Sequence, residues 1–229
     1  MPVLRGVLFD CDGVVVDSEP LIFEVTKKLF APFGVDLQLD DVRPGIGAGG
    51  KYVSAPMEKY GITDVTVEEM LRRRTSAYLE LAKEKLRPLP GFETLMEEIR
   101  KRGLKTALAS SSSNHWVMES LKAVSIDPKR FDFIVDGDSI AKKKPNPDVF
   151  LEAAEGLNLK PAECLVIEDA APGIEAAHRA GCRCVALTST LPREKLTPAD
   201  YLVDRLTDVI PILGRLSLDF REPAKLPGE

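Results

Sequence analysis

Asp10 and Asp12 stand one residue apart at the end of an apolar run, Val7-Leu8-Phe9-Asp10-Cys11-Asp12-Gly13-Val14-Val15. Residues i and i+2 of an extended chain project to the same side, so two carboxylates at this spacing can converge on one cation or one reacting group. Gly13 then allows a sharp turn. Asp-x-Asp-Gly is a short pattern that also describes an ordinary turn or the start of a calcium loop. A calcium loop requires further oxygen ligands and a Glu at its twelfth position. Counted from Asp10 that position is Leu21, so the calcium reading fails.

The element that must carry these carboxylates is a strand. A continuously apolar run fits a strand buried on both faces of a parallel sheet, and in such sheets ligands gather outside the carboxyl ends. Downstream, Leu21, Ile22, Val25, Leu29 and Phe33 recur at helical spacing after Asp17-Ser18-Glu19-Pro20, which places Pro in a first helical turn. The stretch from Arg43 to Gly50, with Gly45, Gly47, Gly49 and Gly50, reads as a flexible loop. Thr66-Val67-Glu68-Glu69 is a capping box that opens a helix carrying Met70, Leu71, Tyr78, Leu79 and Ala82. Arg87-Pro88-Leu89-Pro90-Gly91 then punctuates the chain, and a helix follows with Phe92, Leu95, Met96 and Ile99 on one face.

From Leu104 the pattern alternates strictly. Strands are expected at Leu104 to Ala109, Phe133 to Val135, Cys164 to Ile167, Cys184 to Leu187 and Tyr201 to Val203. Helices are expected from about Asn114, Pro147 and Gly173, with a last one near Leu206 to Leu213. Repeated strand-helix-strand units imply right-handed crossovers and a parallel sheet. The expected organisation is an α/β fold with a Rossmann-like parallel core, residues 1–15 and 87–220. A small helical domain, residues 16–86, is inserted into it, and residues 221–229 form a loose tail.

The 229 residues, 44% hydrophobic and 29% charged, describe a chain able to bury a sizeable core. A formal net charge of -5 argues against nucleic acid, so an anionic substrate would have to be attracted by local cations. No run approaches membrane-spanning length, and no charged segment followed by an apolar one opens the chain. A cytoplasmic location is therefore expected. Cys11, Cys164, Cys182 and Cys184 lack a CxxC spacing and read as reduced thiols. The sequence does not give an oligomeric state; a monomer is the default.

Other chemistry-bearing residues recur at the ends of the expected strands: Ser110 to Ser113 after the second, Glu168-Asp169 after Cys164 to Ile167, and Lys144 at the opening of a helix between them. Each has a plainer reading. Ser110 could cap a helix, Lys142-Lys143-Lys144 could be a solvated run, and Glu168-Asp169 could be helix N-terminal charges. Taken together, an acidic cluster, a hydroxyl and a lysine meet on one edge of one sheet.

At these residues the chain resembles the haloacid-dehalogenase-like (HAD) phosphohydrolases, and within them the branch of β-phosphoglucomutase and sugar phosphatases with a helical cap. The similarity spans nearly the whole chain and rests on four stretches in order: Phe9-Asp10-Cys11-Asp12-Gly13-Val14 followed by Asp17-Ser18-Glu19-Pro20; Leu108-Ala109-Ser110-Ser111-Ser112; Lys144-Pro145-Asn146-Pro147-Asp148-Val149-Phe150; and Val166-Ile167-Glu168-Asp169-Ala170-Ala171-Pro172-Gly173. The resemblance implies a cap, residues 16–86, closing over an active site at the core's edge. It also implies a Mg²⁺-dependent phosphomonoesterase working through an aspartyl-phosphate. Asp10 would attack the phosphoryl group; Asp12 would protonate the leaving alkoxide, then deprotonate water. Asp10, the Asp12 carbonyl and Asp169 would hold the metal, with Glu168 as a ligand or an acceptor behind it. Ser110, the Ser111 amide and Lys144 would bind the phosphoryl oxygens.

Within that resemblance, dehalogenases lack the second Asp and phosphonate-cleaving members put Ala there, so Asp12 points to phosphate esters. The mutase carries a cap-side His where this chain has Ile22, and its cap arginine has no counterpart nearer than Ala48. Both departures favour a phosphatase over a mutase. A catalytically silent binding protein is disfavoured because every nucleophile, acid, lysine and metal position is filled. No GxxxxGK[ST] phosphate loop is present, and His115 and His178 sit on expected helices, away from any metal pattern. Because the core would touch only the phosphoryl group, substrate choice is expected from cap cations, with Lys51 and Arg74 as the candidates. The substrate class expected is a small phosphorylated metabolite such as a sugar phosphate.

Overall fold

The computed structural model describes residues 2–47 and 49–217; Ala48 and the expected tail, 221–229, lie outside the described residues. Six parallel strands form one sheet: β1 (Gly6–Phe9), β2 (Lys105–Ala109), β3 (Phe133–Val135), β4 (Cys164–Glu168), β5 (Arg183–Leu187) and β6 (Tyr201–Val203), in the order β3-β2-β1-β4-β5-β6. The winding reverses at β1. The first three strands step outward on one side and the last three on the other, which opens a crevice at the carboxyl ends of β1 and β4.

Sequence and packing agree on why β1 is central. All four of its residues are buried, because helices cover both faces of the sheet and leave no polar side for it to show. The Phe9 ring meets the edges of Phe92 and Phe131 at 5.9 and 6.0 Å between centroids. Burying an aromatic side chain of this kind stabilises the fold by roughly 2–3 kcal/mol.

Four helices lie between β1 and the second half of the core: α1 (Glu19–Phe30), α2 (Leu39–Val42), α3 (Lys51–Lys59) and α4 (Val67–Lys85). They are followed by α5 (Phe92–Lys101), α6 (Asn114–Ala123), α7 (Asp148–Gly156), α8 (Ala171–Ala180) and α9 (Ile210–Ser217). α5 buries Phe92, Leu95, Met96 and Ile99 and packs on α9, while α7 and α8 pack together. The Thr66 hydroxyl accepts the Glu69 N–H at 3.2 Å, so half of the capping box expected for α4 forms, while the Glu69 carboxylate turns to Arg72 and Arg73. The cap helices join the core through two strand-like crossings paired antiparallel. Asp17 N–H donates to the Arg87 carbonyl at 3.0 Å and Leu89 N–H to that of Val15 at 2.9 Å.

Three expectations change. Phe33 does not extend α1, which ends at Phe30 and passes into a 3₁₀ turn, Ala31–Phe33, closed by Gly34 at φ 73°. The glycine-rich stretch contains a 3₁₀ turn at Arg43–Gly45, and Lys51 is not in a loop but begins α3. The last helix begins as a 3₁₀ turn, Leu206–Val209, before α9. α2 is only four residues long, and α3 follows the glycine-rich stretch and carries Pro56, yet α3 buries Tyr52, Val53, Pro56 and Met57 along one helical face. The four cysteines are buried and unpaired, and no helix among the described residues is long and apolar enough to cross a membrane.

Candidate active site

The register of β1 places Phe9 beside Leu108 of β2 and Ile167 of β4, so the next residue of each strand meets at the crevice. Asp10 is there, its N–H donating to the Ile167 carbonyl at 3.0 Å. Lys144 reaches in from the segment before α7. Its ammonium donates to Asp10 Oδ1, to Glu168 Oε1 at 2.6 Å and to the Ala109 carbonyl at 3.2 Å, and it lies 4.8 Å from the centre of the Phe150 ring. A lysine this buried persists when carboxylates compensate it. Burial disfavours its charge, but Asp10 and Glu168 outweigh that and raise its pKa.

Glu168 is held at both oxygens. Its second oxygen accepts the backbone N–H groups of Asp169 and Ala170 at 3.0 and 3.1 Å, just ahead of α8. A β-carbon on Gly173 would fall 1.8 Å from Glu168 Oε1, so that glycine is required for the carboxylate to lie against the helix start. Asp169 accepts from the Thr190 hydroxyl. Gly13, at φ 73°, passes so close that a β-carbon would be 1.9 Å from Asp169 Oδ2.

Asp10, Glu168 and Asp169 each present a carboxylate oxygen, all within 4.8 Å of one another and buried. Burial pushes the Asp10 carboxyl up to about 7, against the pull of Lys144 and with added repulsion from Glu168 and Asp12. Burial, then Glu168 and Asp10, hold Asp169 well above the usual carboxylate range. An oxygen-only donor set under this mutual repulsion suits a hard divalent cation such as Mg²⁺. Glu168 keeps an acceptor position beyond Lys144 and the two amides, so all three carboxylates could offer an oxygen to one ion.

Asp12 lines the same cavity as Asp10. Its Oδ2 accepts from the Ser112 hydroxyl and its Oδ1 from the Trp116 indole N–H, both at 3.1 Å. Within the serine run, Ser113 takes the capping role, its oxygen accepting the Trp116 N–H at 3.4 Å. Ser110 stays at the end of β2, 2% exposed, accepting the Ser112 N–H at 3.1 Å, and the Ser111 hydroxyl accepts the Lys144 N–H at 3.2 Å.

The cavity measures about 280 Å³ and is roofed by Glu19, Ile22, Tyr52 and Arg74 from three of the inserted helices. Arg74 lies 5.5 Å from the Tyr52 ring centre and 5.9 Å from that of Trp116. Among the described residues, Arg74 Nε and the Tyr52 hydroxyl are buried without a hydrogen-bond partner. Glu19 reaches solvent through the mouth of the cavity but is otherwise enclosed. That burial, with repulsion from Asp12, pushes its carboxyl up to about 8 despite Arg74. Lys51 is exposed and does not line the cavity, so the two expected cap cations separate: Arg74 is on the site and Lys51 is outside it.

Glu19, Tyr52, Trp116 and Thr190 were not legible as site residues. Glu19 reads as an ordinary first-turn acid of α1, and Tyr52 and Trp116 as core aromatics. Two signals were available: Glu19 stands in Asp17-Ser18-Glu19-Pro20 of the first stretch, where the sequence reading assigns it no role, and Trp116 follows the serine run by one helical turn.

Comparison with known proteins gives the same placement. Residues 7–187 match the family described as haloacid dehalogenase-like hydrolase. The chain is 37% identical over 199 residues to Protein SUPPRESSOR OF QUENCHING 1, chloroplastic, of Arabidopsis thaliana, a match covering 86% of this chain but 19% of that protein's length. It is 32% identical over 179 residues to the Phosphorylated carbohydrates phosphatase of Thermotoga maritima, covering 78% of this chain and 82% of that one. Among solved structures, a D10N mutant of CbbY from Rhodobacter sphaeroides in complex with xylulose-(1,5)bisphosphate superposes with a TM-score of 0.77 at 26% identity, covering 90% of this chain and 96% of that one. The match over most of the chain, falling on the strand-end residues that build the site, makes this protein a member of the haloacid dehalogenase-like hydrolases.

Proposed function

We propose that the protein is a Mg²⁺-dependent phosphatase that hydrolyses a small phosphomonoester, a sugar phosphate or similar metabolite, through an aspartyl-phosphate on Asp10. The observation that carries this reading is the arrangement of Lys144 between Asp10 and Glu168, with Asp12 lining the same small cavity. Asp10 attacks phosphorus, the bond to the leaving oxygen breaks, and that oxygen takes a proton from Asp12. Asp12 then removes a proton from the water that cleaves the acyl phosphate. Lys144, Ser110 and the Ser111 amide balance charge on the transferring oxygens. Asp10, Asp169 and the Asp12 carbonyl, with Glu168 as a further ligand or an acceptor behind them, would hold Mg²⁺, which would supply charge neutralisation.

The cap supports a polar, oxygen-rich leaving group. Arg74 and Tyr52 line the cavity, Arg74 Nε has no hydrogen-bond partner, and Glu19, beside the Tyr52 hydroxyl, offers an acceptor or, when protonated, a donor. A second phosphate or a hydroxyl-bearing chain would satisfy them, and the bisphosphate bound in the CbbY complex is a ligand of that kind. Mutase activity is the weaker reading because Ile22 presents an apolar side chain to the cavity where the mutase has an imidazole. The test is a panel of sugar mono- and bisphosphates assayed with Mg²⁺ and with EDTA. Release of inorganic phosphate that EDTA abolishes is expected. Isomerisation of a sugar phosphate without phosphate release would overturn the phosphatase reading.

A further inference from the structure

Trp116 belongs to the core helix α6, yet its indole ring joins cap and core. The Tyr78 ring of α4 lies flat on it, 3.8 Å between centroids and 7° between planes, and the Tyr78 hydroxyl pairs with Ser120 Oγ at 3.2 Å one turn further along α6. Arg74 approaches the same ring. The indole cannot turn while this stack is in place, and its single N–H points at Asp12 Oδ1 at 3.1 Å.

An indole N–H donates and cannot accept. It therefore never takes a proton from Asp12 and never competes for one that Asp12 carries. What it does is fix the carboxyl plane, with Ser112 holding the other oxygen. We propose that Trp116 is a positioning residue that aims Asp12 at the leaving oxygen, held in that aim by the Tyr78 ring of α4 stacked on it. The inference rests on the acid–base role of Asp12 in the proposed function. Misplacing a proton donor by a fraction of an ångström costs rate without costing affinity.

The test uses two aryl esters of similar shape. In both, Asp10 attacks phosphorus and the aryl oxygen departs with the bonding pair. Phenoxide is a much stronger base than p-nitrophenoxide and needs the proton of Asp12 far more. The reading kcat/KM stops at leaving-group departure, so the later hydrolysis step does not enter it. Trp116→Phe, which keeps the ring and removes the N–H, is expected to lower kcat/KM for phenyl phosphate about tenfold more than for p-nitrophenyl phosphate. In the Asp12→Asn background, adding Trp116→Phe is expected to change neither substrate further, because residues acting through one group are not additive.

An equal fall on both substrates, or a further loss in the Asp12→Asn background, would overturn the positioning role. If Asp12→Asn itself leaves the phenyl to p-nitrophenyl ratio unchanged, the acid role of Asp12 is what fails. A second measurement leaves Trp116 intact. It is the single tryptophan of the chain, so all indole emission comes from it. Asp12→Asn is expected to shift that emission, and an unchanged spectrum would overturn the contact.

Discussion

The two walls of the cavity are built on opposite terms. On the core wall, Lys144 bridges Asp10 and Glu168, Glu168 takes two backbone N–H groups and Asp169 the Thr190 hydroxyl, so each side chain has a partner even though mutual repulsion raises Asp10 and Asp169, and all four are nearly inaccessible. On the cap wall, Arg74 Nε is buried without a partner, and the Tyr52 hydroxyl has only Glu19 beside it. A satisfied cluster keeps its geometry whether or not substrate is present, which is what a step common to all substrates requires. An unsatisfied one costs stability until a ligand supplies the missing partners, and substrates that lack them are penalised.

The contrast is broken most directly at its chemical centre. Asp10→Asn keeps the size of the side chain but removes the nucleophile, and turnover of p-nitrophenyl phosphate should fall on the order of 10³-fold or more. Retention of near-normal turnover would end the covalent mechanism. Lys144→Ala should also abolish most activity, and beyond that it strands two buried carboxylates. Denaturant unfolding should show a loss of about 3–5 kcal/mol, partly restored when Glu168→Gln is added.

Arg74→Ala sharpens the comparison from the other side. Removing it should lower kcat/KM on the best sugar phosphate of the panel about tenfold, roughly 1.4 kcal/mol, with little change on p-nitrophenyl phosphate. Because Nε has no partner to lose, stability should move by no more than about 1 kcal/mol. A stability loss as large as that of Lys144→Ala would mean that the cap wall is structural after all. Lys51→Ala, outside the cavity, is the matched control.

The smallest effect concerns pH. Glu19 is raised from 4.5 to about 8, so between those values the folded chain holds a proton that the unfolded chain has released. Its contribution to stability is full below the unfolded value and is lost as pH rises through the folded one. Glu19→Gln removes this dependence. Its melting temperature relative to wild type should climb between pH 5 and pH 8, and a flat difference would show that Glu19 is ionised at the mouth.

What the sequence by itself determined is local. An apolar run ending in Asp10 and Asp12, a serine run after the second strand, Lys144 before a helix and Glu168-Asp169 after a strand could all be read in place. Periodicity and punctuation state where each strand ends, and a parallel sheet brings such ends together. Tertiary structure decided what each group touches. Glu168 turned out to be occupied by Lys144 and two amides, a result of Gly173 allowing close approach. Trp116 found Asp12 across 104 residues and Tyr78 of the cap at the same time. Lys51 and Arg74 look alike as cap cations in sequence, yet Lys51 was carried outward on the first turn of α3 and Arg74 inward from the middle of α4. Which face of a short or weakly periodic helix turns toward a cavity is set by the packing of its neighbours, and that information is not stored in the helix's own residues.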